Sequence, residues 1–263
     1  MPVAAIQFGD ADAYERFMGR WSRAVAPLFL QWLNAPRRGR WLDVGCGTGI
    51  LSEALLDLLD PASVTGIDLS AAQIAAASAG RVAQGARFQK ADAMELPFPD
   101  RSFDNTVSAL VINFIPDPSR ALAEMRRVTA GRGWVGGYVW DFEKDLSPSG
   151  PLRQAMRAFG AEVPTIPGAL HSSQPALESL FRQAGFAAID SRTIDVTLSY
   201  ADFNDFWSAQ TPAYSPTTRI INAMTSVERK RLMRAVQEAV PHAHNGKIEY
   251  TARANAIKAA VTA

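Results

Sequence analysis

Apolar residues recur along this chain in short bursts whose period switches between that of a helix and that of a strand. Tyr14, Phe17, Met18, Trp21 and Val25 fall at helical spacing behind Asp10 and Asp12, either of which can cap a helix. A second apolar piece covers residues 28–33 and stops at Asn34-Ala35-Pro36, so two N-terminal helices are expected. Residues 41–44 run apolar and extended, as a strand buried on both faces does, and pass through a glycine turn into a helix over 50–59. A second strand over 64–69 follows, then an alanine-rich helix that Ser70 and Gln73 begin in capping-box fashion and that ends near Gly80. Residues 87–91 and 105–110 read as the third and fourth strands. Asp117-Pro118 starts a helix with Leu122, Met125 and Val128 on its inner face; residues 129–133 close it, and 133–140 form a fifth strand. Strands alternating with helices give parallel βα units with right-handed crossovers, hence one doubly wound sheet.

The regularity lapses over residues 142–174. Prolines at 148, 151, 164 and 167 bracket one short helix carrying Leu152, Met156 and Phe159, and such a stretch is either a connection or a lid over a ligand pocket. Order returns with a helix over 175–184, capped by Gly185 with Phe186 packing back, and a sixth strand over 187–199. Helices over 202–209 and 226–240 come next, the second begun by Ser226. Residues 247–261 alternate as a last strand, expected antiparallel. The organisation expected is N-terminal helices over 1–36, a ligand-binding core over 37–141, a lid or insertion over 142–174, and the rest of the same sheet with a helical cap over 175–263.

Composition narrows the function classes. The 263 residues can bury a sizeable core, and 48% hydrophobic with 20% charged residues is ordinary for a globular chain. Net charge is +1, from 27 basic and 26 acidic residues, which argues against a dedicated nucleic-acid or anionic-membrane surface. The single cysteine, Cys46, forms no intrachain disulfide and supplies no thiolate metal cluster; no metal site is expected. No run approaches the roughly 20 apolar residues that span a bilayer, and no secretory leader is evident, so a cytoplasmic protein, monomer or homodimer, is expected.

The chemistry concentrates at the glycine turn. Glycine tolerates positive φ and has no Cβ to hold a ligand off the backbone, and in open α/β sheets ligands lie beyond the carboxyl ends of strands. A dinucleotide fingerprint would read G-x-G-x-x-G; here the glycines are Gly45, Gly47 and Gly49, and Asp43 precedes them. A carboxylate there repels a pyrophosphate and suits a cationic group. Asp68 ends the second strand about 20 residues past the turn, the offset at which a carboxylate reaches the ribose hydroxyls of an adenosine. A bidentate acceptor fits a vicinal diol.

Leu42-Asp43-Val44-Gly45-Cys46-Gly47-Thr48-Gly49 closely resembles the first motif of class I S-adenosylmethionine-dependent methyltransferases, and S-adenosylmethionine carries both an ammonium and a sulfonium. The resemblance is specific over residues 41–140. It implies a Rossmann-like α/β sheet of six parallel strands and one antiparallel strand, the last, at the sheet's edge. It also implies that Asp43, Gly45, Cys46 and Gly47 hold the methionine part, Asp68 and Leu69 the ribose, and Asp92 and Ala93 the adenine. Tyr14 and Arg20 belong to a string, Tyr-Glu-Arg-Phe-Met-Gly-Arg-Trp-Ser-Arg, similar to an N-terminal segment that folds over the cofactor in a subset of the family. Asn113, beyond the fourth strand, is expected on the wall facing the transferred methyl, with Trp140 at the ligand-facing end of the fifth.

Methyl transfer from a sulfonium needs positioning more than acid–base chemistry, so no catalytic triad is expected. His171 is the one histidine considered as a base; Asp117 and Asp141 compete, the first more simply a helix cap. His242 and His244 read as a solvated turn. Tyr14, Trp140, Phe142 and Trp207 are candidates to line the acceptor pocket. Val-Ile-Asn-Phe-Ile-Pro stands where amino-methylating nucleic-acid enzymes of related fold carry Asn-Pro-Pro-Phe or Asp-Pro-Pro-Tyr, so a small-molecule acceptor is favoured. Segments here are similar to methyltransferases of quinone precursors, lipids and secondary metabolites. A non-catalytic S-adenosylmethionine-binding module, acting as partner or sensor, is the alternative; a nicotinamide oxidoreductase lacks its fingerprint.

Overall fold

The computed structural model describes residues 15–242 and 246–262. A π-helical turn, Glu15–Gly19, runs directly into helix α1, Arg20–Leu33. The two N-terminal helices expected from the sequence are therefore continuous over the described residues, through Pro27. Trp21, Val25, Phe29 and Leu33 bury one face on both sides of the proline. Pro27 and Arg23 lie on the exposed side, so the carbonyl that the proline leaves unpaired can be met by water.

Strand β1, Arg40–Val44, leads through the glycine turn to α2, Ile50–Leu59, and then come β2, Ser63–Asp68, α3, Ala71–Ala79, and β3, Ala86–Lys90. Ser70 caps α3 by accepting the Gln73 N–H. Strand β4, Phe103–Ala109, is followed by a 3₁₀ turn, Ile112–Phe114, and by α4, Pro118–Val128, capped by Asp117. Strand β5 is Thr129–Trp140, longer than expected. The closing turn survives as a bulge inside it: Phe103 pairs with Thr129 but Asn105 with Trp134, and Arg132 takes φ +70° while its N–H reaches the Val261 carbonyl.

Beyond β5 come α5, Gly150–Phe159, α6, Gln174–Gln183, β6, Ile189–Tyr200, α7, Phe203–Gln210, α8, Pro216–Ala223, α9, Ser226–Ala239, and β7, Ile248–Ala260. Helix α6 closes as expected, with Gly185 at φ +85° and the Phe186 N–H on the Phe181 carbonyl. Helix α8 has no counterpart in the sequence reading. The cap of α9 is Thr225 rather than Ser226, in a reciprocal capping box with Glu228.

The sheet order is β3-β2-β1-β4-β5-β7-β6. Strand β7 runs antiparallel to both its neighbours, so six strands share one direction and one opposes them. The antiparallel strand is not the edge strand expected. Burial explains why: β7 presents Ala252, Ala254, Ala256, Ile257 and Ala259 fully buried, as an inner strand must, whereas β6 alternates between covered and exposed positions and forms the edge. Successive residues of each strand feed opposite layers. Trp41 and Tyr138 join Trp21, Phe29 and Leu55 on one face; Leu42 and Val139 join Leu122, Met125 and Phe181 on the other. Among the described residues no helix is long and apolar enough to cross a membrane.

Candidate functional site

The glycine turn is bound to the end of β2. The N–H groups of Gly45 and Cys46 both reach the Ile67 carbonyl at 2.8 Å, and the Gly47 N–H reaches Asp68 Oδ2 at 3.0 Å. All three glycines have positive φ: +72°, +54° and +91° at Gly45, Gly47 and Gly49. The reason for glycine differs between them. A Cβ on Gly45 would sit 2.6 Å from both methyls of Val111, whereas one on Gly47 would meet nothing nearer than Gln73 Oε1 at 3.9 Å. The turn is packed at Gly45 and open at Gly47.

A cavity of about 740 Å³ opens above this turn, at the carboxyl ends of β1, β2, β3 and β4. Asp43, Gly45, Cys46, Gly47, Asp68, Leu69, Asp92 and Ala93, eight of the expected cofactor residues, all line it. Asp43 is fully buried; Oδ2 accepts the Ser52 hydroxyl at 2.7 Å and Oδ1 has no partner among the described residues. Burial drives its pKa up to about 7, against the opposing Ser52 hydrogen bond and with help from the Asp68 charge. Asp68 uses one oxygen for Gly47 and the other for the Ser70 N–H at 2.8 Å. Burial raises its pKa too, and those two N–H bonds restrain the rise. Asp92 Oδ1 accepts the Met94 N–H at 2.8 Å, fixing the loop after β3. The Cys46 thiol is buried and pushed up by desolvation, then by Asp43 and Asp68, which fits a packing residue and not a nucleophile.

A second cavity, of about 420 Å³, adjoins the first, and Leu110 and Phe114 line both. Leu110 holds φ +62° at the end of β4, its N–H on the Tyr138 carbonyl at 2.7 Å. A non-glycine residue in that region carries backbone strain, here at the junction of two cavities. Trp140 and Phe142 line the second cavity, as do Phe17 and Met18 from the N-terminal turn and Leu152, Arg153 and residues 164–167 from the irregular segment. That segment is tied down. Ser172 Oγ accepts the N–H groups of Phe142 and Glu143 at 3.1 Å, and Asn255 Nδ2 donates to the Ser172 carbonyl at 2.7 Å.

Other expected residues lie elsewhere. Asn113 is buried beside the two cavities without lining either, its Nδ2 directed at the Pro167 carbonyl at 3.5 Å. His171 ends a 3₁₀ turn and lines neither cavity. Arg20 donates to the Ser199 carbonyl at 2.7 Å and lies over the Tyr200 ring, away from both cavities. Asp117 is a cap, Asp141 accepts the Lys144 N–H, and Trp207 packs on Phe203. His242 bonds the Gln237 carbonyl. Tyr14 and His244 lie outside the described residues. Sequence reasoning missed Leu110, Val111 and Phe114; their signal was their place just past β4, at the ligand-facing edge. Arg153 and Gln210 had no such signal, because the folding of α5 and α7 brings them in.

A family model described as a methyltransferase domain matches residues 42–136. A demethylmenaquinone methyltransferase from Thermus thermophilus is 34% identical over 155 residues, covering 58% of this chain and 67% of that protein. The chain belongs to the class I S-adenosylmethionine-dependent methyltransferase family. Within that family, a phosphatidylethanolamine N-methyltransferase from Cereibacter sphaeroides is 35% identical over 127 residues, 47% of this chain and 61% of that protein. Two further relatives are matched over 26% and 48% of their own length. The fold is also that of the YcgJ protein from Bacillus subtilis, with a TM-score of 0.59, 19% identity, and coverage of 93% of this chain and 99% of that one. The family match contains the glycine turn, Asp68, Asp92 and Leu110, and ends before the segment that builds the second cavity.

Proposed function

We propose that this chain is an S-adenosylmethionine-dependent methyltransferase acting on a small-molecule acceptor. The observation that carries the reading is the pair of cavities that share Leu110 and Phe114: one lies on the glycine turn, the other is largely apolar. Such a pair can hold a cofactor and an acceptor with one contact between them. The named relatives act on a demethylmenaquinone and on phosphatidylethanolamine, which agrees with a small molecule or lipid as acceptor.

The residues present fit the cofactor. Asp43 offers a buried carboxylate oxygen without a partner beneath the turn, suited to a cationic methionine end. Gly47 leaves backbone open to close approach. Asp68 has used one acceptor position on each oxygen and keeps others for a ribose diol. Asp92 and Ala93 line the same cavity after β3 and are assigned to the adenine, and Leu69, 65% exposed at the cavity rim, offers an apolar cover for the nucleoside. Tyr14, Arg20 and Asn113 have no comparable support.

When bound, S-adenosylmethionine supplies a methyl group on a sulfonium, an electrophile with a good leaving group. The chain's part is to bind, orient and exclude water. Leu110 and Phe114 bound the passage between the cavities, and Trp140 and Phe142 wall the acceptor side. Orientation of this kind lowers a barrier by roughly 7 to 11 kcal/mol in favourable cases. No side chain here is assigned as base.

Calorimetric titration with S-adenosylmethionine and S-adenosylhomocysteine, with NADH as control, tests the reading. Micromolar binding of both without an NADH signal is expected, and transfer of a labelled methyl group to an acceptor completes the assignment. Absence of binding would overturn it. Binding with no transfer across a broad acceptor panel would favour a binding module.

A further inference from the structure

The second cavity has a charge pattern of its own. Among the described residues that line it, Arg153 and Arg219 are the charged ones; both are cations, and no carboxylate lines the cavity with them. Arg153, in α5, is only 7% exposed. Its Nε donates to Asp145 Oδ1 at 3.2 Å and its Nη1 to the Pro164 carbonyl at 2.8 Å, which leaves Nη2 without a partner among the described residues. Asp145 offsets this charge only in part, because the half-exposed Arg157 shares its other oxygen. Two guanidinium groups share one carboxylate.

A surplus buried cation is costly unless something anionic completes it. Desolvation lowers the Arg153 pKa against the opposing Asp145 hydrogen bond and charge, and the Arg157 charge adds a smaller push in the same direction as desolvation. Arg219, in α8, is exposed on the cavity wall, and its guanidinium makes no hydrogen bond or ion pair with the described residues. The remaining wall is mostly apolar, with Phe114, Trp140, Phe142 and Leu152.

We infer that the second cavity selects an acceptor bearing a carboxylate. Arg153 holds that group through Nη2, Arg219 attracts it at the mouth, and Phe114, Trp140 and Phe142 enclose an apolar ring or chain. Arg suits the task because its planar fork can serve Asp145 and a ligand carboxylate with different edges. A volume of about 420 Å³ suits one small molecule. The inference rests on the methyltransferase reading only in calling the bound molecule the acceptor.

The test titrates 3-(4-hydroxyphenyl)propanoate and its primary amide into the full chain by calorimetry, with and without saturating S-adenosylhomocysteine. The carboxylate is expected to bind at least tenfold more tightly than the amide. Arg153→Gln is expected to abolish that preference, and Arg219→Gln, at an exposed position where folding is not at stake, to reduce it severalfold. Equal affinity for the two probes, no binding of either, or a preference untouched by both variants overturns the inference. S-adenosylhomocysteine titration of each variant reads the first cavity separately. Its failure in the wild type would count against the cofactor reading and leave the carboxylate preference measurable.

Discussion

Asp68 accepts the Gly47 N–H through Oδ2 at 3.0 Å, so the carboxylate ending β2 holds open the glycine turn that ends β1. One side chain thereby sets the shape of the cavity and lines it. Hydrogen bonds to a charged group contribute about 1.5–3 kcal/mol each. Asp68→Ala is expected to weaken S-adenosylhomocysteine binding by about 10- to 100-fold. Calorimetry decides; unchanged affinity would remove the ribose assignment.

Asp43 makes stability depend on pH in an unusual direction for an acid. Its unfolded value is the ordinary 3.8 and its folded value is pushed up to about 7, chiefly by burial. Between those two values the folded chain keeps a proton that the unfolded chain has lost. Its contribution is therefore most favourable below pH about 4, declines as pH rises to about 7, and is level above that. Asp43→Asn is expected to flatten this part of the profile, as read from urea midpoints at several pH values. An identical slope in the variant would show that another group titrates.

Gly45 and Gly47 are expected to fail differently when replaced by alanine. Both hold positive φ, which costs an L-residue about 1–2 kcal/mol, but only Gly45 would also drive a Cβ into Val111. Gly45→Ala should lower the melting temperature by more than Gly47→Ala does. Gly47→Ala should keep the fold and lose S-adenosylhomocysteine affinity at least tenfold, because the new methyl occupies open space beside the turn. Wild-type affinity in Gly47→Ala would mean that the ligand does not approach the backbone there.

Gly168 docks the irregular segment onto the turn after β4. It holds φ +66°, and a Cβ there would collide with the Asn113 carbonyl. Gly168→Ala is expected to loosen residues 160–172, seen as faster amide exchange and earlier protease cleavage there, while the β1–β5 core keeps its protection. Cleavage at the wild-type rate would show that this contact is not what secures the segment.

Local spacing made most of the core legible. The alternation of short apolar strands with helices follows from main-chain periodicity, and the glycine turn, Asp68 and Asp92 sit at strand ends that the same periodicity locates. The cap at Asp117 and the Gly185–Phe186 closure were visible for the same reason, since their partners lie within six residues. Asn113 shows the boundary of that reasoning. Its position after β4 was readable, but its side-chain direction was set by Pro167, more than 50 residues away.

By itself, then, the sequence determined the order of elements, the doubly wound core, and the glycine turn and three carboxylates as strand-end positions, because each follows from the local period of its own segment. Tertiary structure decided the rest. It carried α1 unbroken past Pro27, because one buried face spans the proline. It placed β7 inside the sheet and β6 at the edge, because only the alanine-rich strand can be covered on both faces. It brought Arg153 beside Phe114 and Trp140 to wall a second cavity. Such long-range neighbours leave no period in the sequence, since packing, and not chain spacing, brings them together.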